Sequence, residues 1–309
     1  MKVRAPGKLV LTGAYAVLEG APALVLAIDR HAIADTSHPE PNPGIEVRAA
    51  LEAMPEVAKA PSVDARALHD AQGQKLGLGS SAAVLVASLG ALAAARGDDH
   101  AQPSVRREIF RAARAAHARS QQGGSGVDIA ASVFGGLLRY QLPEGGLPPD
   151  VRAVELPRGL RMAAYWTGVP ARTSELRAKV DALRARDGKA YDARMRDLAD
   201  ASNRAADAVS AQALITAARS MGAALFALGR EADAPIVTLP MAELALRVVA
   251  EEAAFLPSGA GGGDCAVYLG IAPPSEAFDA RARACGMTPL DLAPEPRGVC
   301  LDHSARKDD

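Results

Sequence analysis

The stretch "LGLGSSAAVLVASLGALAAA", residues 76 to 95, constrains this chain more than any other. Its length and alanine content predict a helix over residues 80–96, and its small side chains predict that neighbours pack closely around it. Gly77 and Gly79 stand just before, where glycine lets the backbone turn left-handed and approach a ligand closely. The first amides of the helix, those of Ser80, Ser81 and Ala82, have no partner within it, so this end attracts phosphate by hydrogen bonding and dipole together. The serine hydroxyls suit capping the helix or reaching a magnesium ion. Two readings stand at this point: a phosphate cradle, or a capped core helix entered through a glycine turn.

The chain has 309 residues, enough for two ordinary domains, and its 49% hydrophobic and 23% charged residues are those of a folded globular protein. Its 35 basic and 36 acidic residues give a net charge of −1 with no long block of one sign, which argues against a nucleic acid partner. Cys265, Cys285 and Cys300 are odd in number and never spaced CxxC, so inert thiols in a reducing compartment are expected. The opening "MKVRAPGKLVLTGAYAVLEG" is interrupted by glycine, proline and glutamate and makes a poor signal peptide. No run reaches about 18 uninterrupted apolar residues, the length of a membrane span. A cytoplasmic protein with no membrane partner is expected.

Along the chain, "KLVLT", "AYAVL", "ALVLAID" and "GIEVRAAL" are rich in branched residues and predict strands. "SVRREIFRAARAAHARSQ" predicts a second long helix and "VDIAASVFGG" a short helical element, followed by the strand "LLRYQL". "PEGGLPPD", residues 143 to 150, breaks all periodicity and suggests a boundary between a domain at 1–150 and another at 151–309. The second half predicts a strand "LRMAAYWTG", long helices between about 173 and 231, a helix after "TLP", and a glycine-rich turn leading into the strand "CAVYLG". Strands flank helices in both halves, the pattern of an α+β protein with helices layered on sheet.

Neither "GKL" at Gly7 nor "GKA" at Gly188 completes GxxxxGK[ST], which excludes a P-loop. "GAGGGD" follows a helix and precedes a strand, the reverse of a Rossmann fingerprint. What remains are three glycine-bearing stretches in a fixed order: "APGKLVLTGAYAVLEG", "KLGLGSSAAVLVA" and "PSGAGGGDCAV". In that order they resemble the GHMP kinase superfamily, with its N-terminal lysine motif, its PxxxGLGSSAA loop and its late glycine-rich loop. The resemblance runs from residue 5 to 267. Within the superfamily the chain is most similar to the phosphomevalonate kinase family, which has lysine before the GLGSS loop, here Lys75, and tyrosine in the first motif, here Tyr15. "GGSGVDIAASVFGG" and "WTGVPARTSELRAKV" are also similar to that family. One position departs from it: Ala14 stands where the family has glutamate, and Glu19 is a candidate to replace its contribution.

The resemblance implies a two-domain fold, an N-terminal domain like the second domain of ribosomal protein S5 and a ferredoxin-like C-terminal domain, with ATP and acceptor in the cleft between them. It implies ATP-dependent phosphorylation of 5-phosphomevalonate. It places Lys75, Gly77, Leu78, Gly79, Ser80, Ser81 and Ala82 around the triphosphate, with Ser81 toward Mg2+. Ser125, Gly126, Arg172 and the loop Gly259, Ala260, Gly261, Gly262, Gly263 and Asp264 fall beside the acceptor and the transferring phosphate. Lys8 and Asp128 match the catalytic lysine and aspartate. A phosphate monoester has its second pKa near 6, so such an acceptor needs cations more than a base. An alcohol acceptor would need Asp128 as base.

Mevalonate kinase or another small-molecule GHMP kinase is the alternative, followed by diphosphomevalonate decarboxylase and a non-catalytic binding member of the fold. A monomer or a homodimer is expected. The six histidines have no HxxxH or HExxH spacing, which speaks against a structural metal, and His117 is expected to be a packed or surface residue. Glu46 and Asp64 are conceivable magnesium helpers that no pattern selects.

Overall fold

The computed structural model describes residues 1–57, 59–120 and 124–303. In chain order these form β1 (Lys2–Thr12), a 3-10 turn (Ala16–Glu19), β2 (Ala23–Pro39), α1 (Ile45–Ala53), β3 (Pro61–Asp64), α2 (Ser80–Arg96), α3 (Pro103–Ser120), α4 (Val127–Phe134), β4 (Leu137–Gln141), β5 (Asp150–Val154) and β6 (Arg161–Trp166). There follow α5 (Thr173–Arg186), α6 (Gly188–Ala206), α7 (Ala211–Glu231), α8 (Leu239–Arg247), β7 (Ala254–Pro257), β8 (Cys265–Gly270), α9 (Glu276–Ala284), β9 (Thr288–Leu290) and β10 (Cys300–Leu301).

Two compact units result. The first holds residues 1–8, 26–138 and the chain from Ala293 on; the second holds 9–25 and 139–292. β1, β2 and β4 each contribute residues to both units, and the expected boundary at 150 falls inside the second unit. One sheet has the order β10-β1-β2-β4-β5, with β3 also paired to β2.

In the first unit β10 pairs with the start of β1, Val3 opposite Leu301, and β3 runs antiparallel to β2, Ile33 opposite Asp64. α2 is its central helix, with Leu85, Val86, Leu89 and Leu92 all at most 1% exposed. A helix this apolar all round belongs in a core, as its sequence predicts. Two expectations fail here. "GIEVRAAL" forms the helix α1 rather than a strand, because Val47 and Ala50 recur at helical spacing on its buried side. "AYAVL" is the 3-10 turn after β1, which Tyr15 enters with φ of 61°.

The second unit carries an antiparallel sheet in the order β7-β8-β6-β9. With helices after β6 and between β8 and β9, this is the β-α-β-β-α-β arrangement of a ferredoxin-like fold. Its core gathers Tyr165, Phe255, Tyr268 and Phe278 with Met241 and Leu244. Tyr165 meets Phe255 and Phe278 edge-on, at 5.7 and 5.6 Å between ring centroids, the geometry aromatic quadrupoles favour. α7 is long and apolar enough to cross a membrane by length and composition, but Leu214, Met221, Leu225 and Leu228 bury one face of it, as in a core helix.

Candidate active site

In the first unit the site is built on the start of α2. Gly79 precedes the helix in a left-handed conformation, φ 78°, and its carbonyl accepts the Ala83 amide at 3.0 Å. β1 lies along the same loop: the Lys8 amide donates to the Leu78 carbonyl at 2.8 Å, and Lys8 Nζ donates to the Gly77 carbonyl at 3.0 Å. A Cβ at Gly79 would stand 3.0 Å from Lys8 Cγ. Glycine therefore serves twice there, admitting the left-handed turn and leaving room for the lysine.

The Ser81 hydroxyl, in the first turn of α2, donates to Glu46 Oε1 at 2.7 Å. Glu46 belongs to the first turn of α1, so two helix beginnings converge on one hydroxyl–carboxylate pair. Of the two acidic residues the sequence leaves unselected, the structure brings Glu46 to the loop, while Asp64 pairs with Arg66 at 2.6 Å. Lys75 is exposed, and its backbone bridges His69 ahead of the loop.

Asp128 opens α4 behind Gly126, which is again left-handed with φ 76°. One carboxylate oxygen accepts the Ile129 amide at 2.9 Å; the other lies 3.9 Å from His117 Nε2. His117 is packed, as expected, but packed against the predicted catalytic aspartate. Ser125 Oγ accepts the Val127 amide at 3.4 Å, and further along α4 the Ser132 hydroxyl donates to the Pro6 carbonyl at 2.8 Å. That last bond ties the helix bearing Asp128 to the strand bearing Lys8.

In the second unit the loop Gly259–Asp264 joins β7 to β8. Its four glycines and Asp264 all have positive φ. Gly261 runs so close to Ile236 that a Cβ there would meet the Ile236 carbonyl oxygen at 2.1 Å, and the neighbouring Gly262 amide donates to that carbonyl at 2.8 Å. The Asp264 amide donates to the Val169 carbonyl at 2.7 Å, and its carboxylate accepts the Ala171 amide at 2.9 Å. Arg172, next in the chain, is therefore held beside the loop. Its guanidinium is exposed and pairs with Glu175 at 3.0 Å.

The latter part of the first motif belongs to this second group. The Tyr15 hydroxyl donates to the Ala260 carbonyl at 2.8 Å, and the Val10 amide donates to Ser258 Oγ at 2.9 Å. Burial pushes the Tyr15 hydroxyl's pKa well above its ordinary value, against the opposing pull of Arg177, so it stays a donor. Glu19 accepts the Tyr191 hydroxyl at 2.7 Å and lies 3.6 Å from Arg184. Sequence reasoning did not select Glu46, His117 or Ser258. Ser258 directly precedes Gly259, and that adjacency was the one available signal.

In the first unit, then, a left-handed glycine turn precedes a buried helix, a lysine lies along that turn, and an acidic helix start is tied to the lysine's strand. Residues 47–136 match the family described as GHMP kinases N terminal domain. The phosphomevalonate kinase of Streptomyces sp. (strain CL190) is 31% identical over 369 aligned positions, covering 96% of this chain and 97% of that protein. The chain belongs to the phosphomevalonate kinase family of GHMP kinases.

Solved structures share the fold. A Lin0012 protein from Listeria innocua superposes with a TM-score of 0.83 at 22% identity, covering 98% of this chain and all of that one, 100%. Streptococcus pneumoniae phosphomevalonate kinase, solved with phosphomevalonate and AMPPNP, superposes with a TM-score of 0.77 at 20% identity, covering 95% and 99%.

Proposed function

We propose that the protein transfers the γ-phosphoryl group of ATP to 5-phosphomevalonate, giving 5-diphosphomevalonate and ADP. The observation that carries this reading is the 31% identity to a phosphomevalonate kinase along nearly the full length of both chains.

Residues 1–150 supply the nucleotide frame and residues 151–309 the second glycine loop. The amides of Ser80, Ser81 and Ala82 with Lys8 receive the triphosphate. Lys75, exposed just before the loop, adds a cation for the acceptor's own phosphate. That phosphate is largely anionic at neutral pH, so its oxygen attacks the γ-phosphorus without first losing a proton. A new P–O bond forms as the bond to the bridging oxygen breaks, and the electron pair leaves on ADP. Gly259–Asp264 and Arg172 stabilise the transferring group, with Ser125 and Gly126 at the acceptor. Asp128 serves as a fixed negative charge and is not required as a base.

The Ser81 hydroxyl and the Glu46 carboxylate form a pair of hard oxygen donors that suits Mg2+. Bound there with ATP, the ion supplies neutralising charge on the phosphates. We take the protein to act in the cytoplasm as a monomer or homodimer on small molecules alone.

A coupled assay for ADP release across mevalonate, phosphomevalonate, diphosphomevalonate and several sugars tests the reading. Turnover is expected with phosphomevalonate. Turnover with mevalonate and none with phosphomevalonate overturns it.

A further inference from the structure

The glycine loop of the second unit is anchored at intervals. Ser258 is held by its amide to the Cys265 carbonyl at 2.8 Å and by its hydroxyl to the Val10 amide; Gly262 is held at Ile236, and Asp264 at Val169 and Ala171. Between Ser258 and Gly262 the tie is the bond from the Tyr15 hydroxyl to the Ala260 carbonyl. Gly259 has no heavy atom within 4 Å of where a Cβ would stand, so this part of the loop has little packing to hold it.

Tyr15 is itself held in an unfavourable backbone state. Its φ of 61° is rare for a residue with a bulky side chain. The Val17 amide to the Gly13 carbonyl at 3.0 Å and the Leu18 amide to the Tyr15 carbonyl at 3.0 Å close the turn around it, and its side chain is only 9% exposed. Such strain persists where the surroundings over-determine it, and it concentrates at sites that use the resulting geometry.

In a trans peptide the carbonyl and the following N–H point in opposite directions. No cis peptide bond occurs among the described residues. With the Ala260 carbonyl turned to Tyr15, the Gly261 N–H is turned to the opposite side of the loop. We propose that Tyr15 is a positioning residue: by holding the Ala260 carbonyl it orients the Ala260–Gly261 peptide so that the Gly261 amide donates to the phosphoryl group in transfer. This rests on the kinase reading above, and it adds the group that aims one donor and the residue that carries it.

Donors aimed in advance at charge that develops during reaction act on the transition state more than on bound substrate. Tyr15→Phe, which removes only the hydroxyl, is expected to lower kcat by about 10- to 100-fold, with both KM values changed less than about 3-fold. It is also expected to weaken binding of ADP, aluminium fluoride and acceptor together by a similar factor, while ADP alone binds as in the parent. A purely structural role would lower the folded fraction and leave both ratios unchanged per folded molecule, and that result overturns the proposal.

The parent protein gives a second measurement that does not depend on the variant folding. The Gly261 amide resonance is expected to shift when ADP, aluminium fluoride and acceptor bind together; no shift overturns the proposal. Absence of turnover by the parent with phosphomevalonate is the separate failure of the functional reading. If another acceptor is turned over instead, the Tyr15→Phe comparison is made with that acceptor.

Discussion

The Ser81 hydroxyl donates to Glu46 Oε1 at 2.7 Å, joining the first turn of α2 to the first turn of α1. If this helix end receives the triphosphate as proposed, the hydroxyl and the carboxylate would offer two oxygen ligands to Mg2+. Glu46→Gln keeps the size and an acceptor oxygen but removes the charge. It is expected to raise the half-saturating Mg2+ concentration by about 10-fold in steady-state assays. A magnesium dependence equal to the parent's would place Glu46 outside the metal shell.

Lys8 and Asp128 separate charge stabilisation from base catalysis. Lys8→Met removes a cation and its bond to the Gly77 carbonyl, and kcat is expected to fall by about 10³-fold. Asp128→Asn is expected to cost about 10-fold, because an acceptor phosphate has no proton that must be removed. Equal losses, with a pH limb that disappears in Asp128→Asn, would show that a base is needed after all.

Gly79 should tolerate alanine poorly in a particular way. At φ 78° alanine costs about 1 kcal/mol, and its methyl would press on Lys8 Cγ from 3.0 Å. Gly79→Ala is therefore expected to lower the melting temperature modestly and kcat more than proportionately. Calorimetry alongside activity per folded molecule separates the two effects.

Ser132 is fully buried, and its hydroxyl donates to the Pro6 carbonyl at 2.8 Å. Ser132→Ala leaves that carbonyl without its partner, a loss of about 1–3 kcal/mol. Urea unfolding should show the midpoint moving with an unchanged slope. A shift within about 0.5 kcal/mol would mean that water or another donor replaces the hydroxyl.

Asp35 gives the first unit an acid limit. Burial alone would raise its pKa, but hydrogen bonds from the Ser37 hydroxyl at 2.6 Å and the Ser37 amide at 2.9 Å, with His38 at 3.1 Å, outweigh it and hold the carboxyl at about 2. A depressed pKa stabilises the fold above the unfolded value, near 4, and that contribution is lost as pH falls toward 2. At most about 2 kcal/mol is at stake. Asp35→Asn should be less stable than the parent at pH 6, with the difference shrinking between about pH 4 and 2; a constant difference would contradict this account.

Elements governed by local chemistry were legible from the sequence. α2 follows from alanine content and length, and the turn at Gly77 and Gly79 from the glycines themselves, while Lys75 stood out only through the family resemblance. α1 was not, because eight residues with branched side chains fit a strand and a helix alike, and only packing of Val47 and Ala50 decides. The same ambiguity left Glu46 conceivable but unselected, since a strand gives no reason for its carboxylate to reach the start of α2. His117 was hidden differently: it is eleven residues from Asp128 in sequence, and the fold of α3 back onto α4 brings them within 3.9 Å.

The sequence by itself determined the family and offered the pieces of the candidate site: three glycine-bearing stretches in order, a lysine, two serines and an aspartate. Those are local matters, because glycine at a turn and serine at a helix start act through their own backbone. The tertiary structure decided which pieces meet. β1 passes from one compact unit to the other between Lys8 and Leu9, so a single motif places its lysine on the α2 loop and its Val10 and Tyr15 on the second glycine loop. The bond from Tyr15 to Ala260 spans 245 positions of sequence, and side-chain reach across folded strands creates it; no local pattern encodes it.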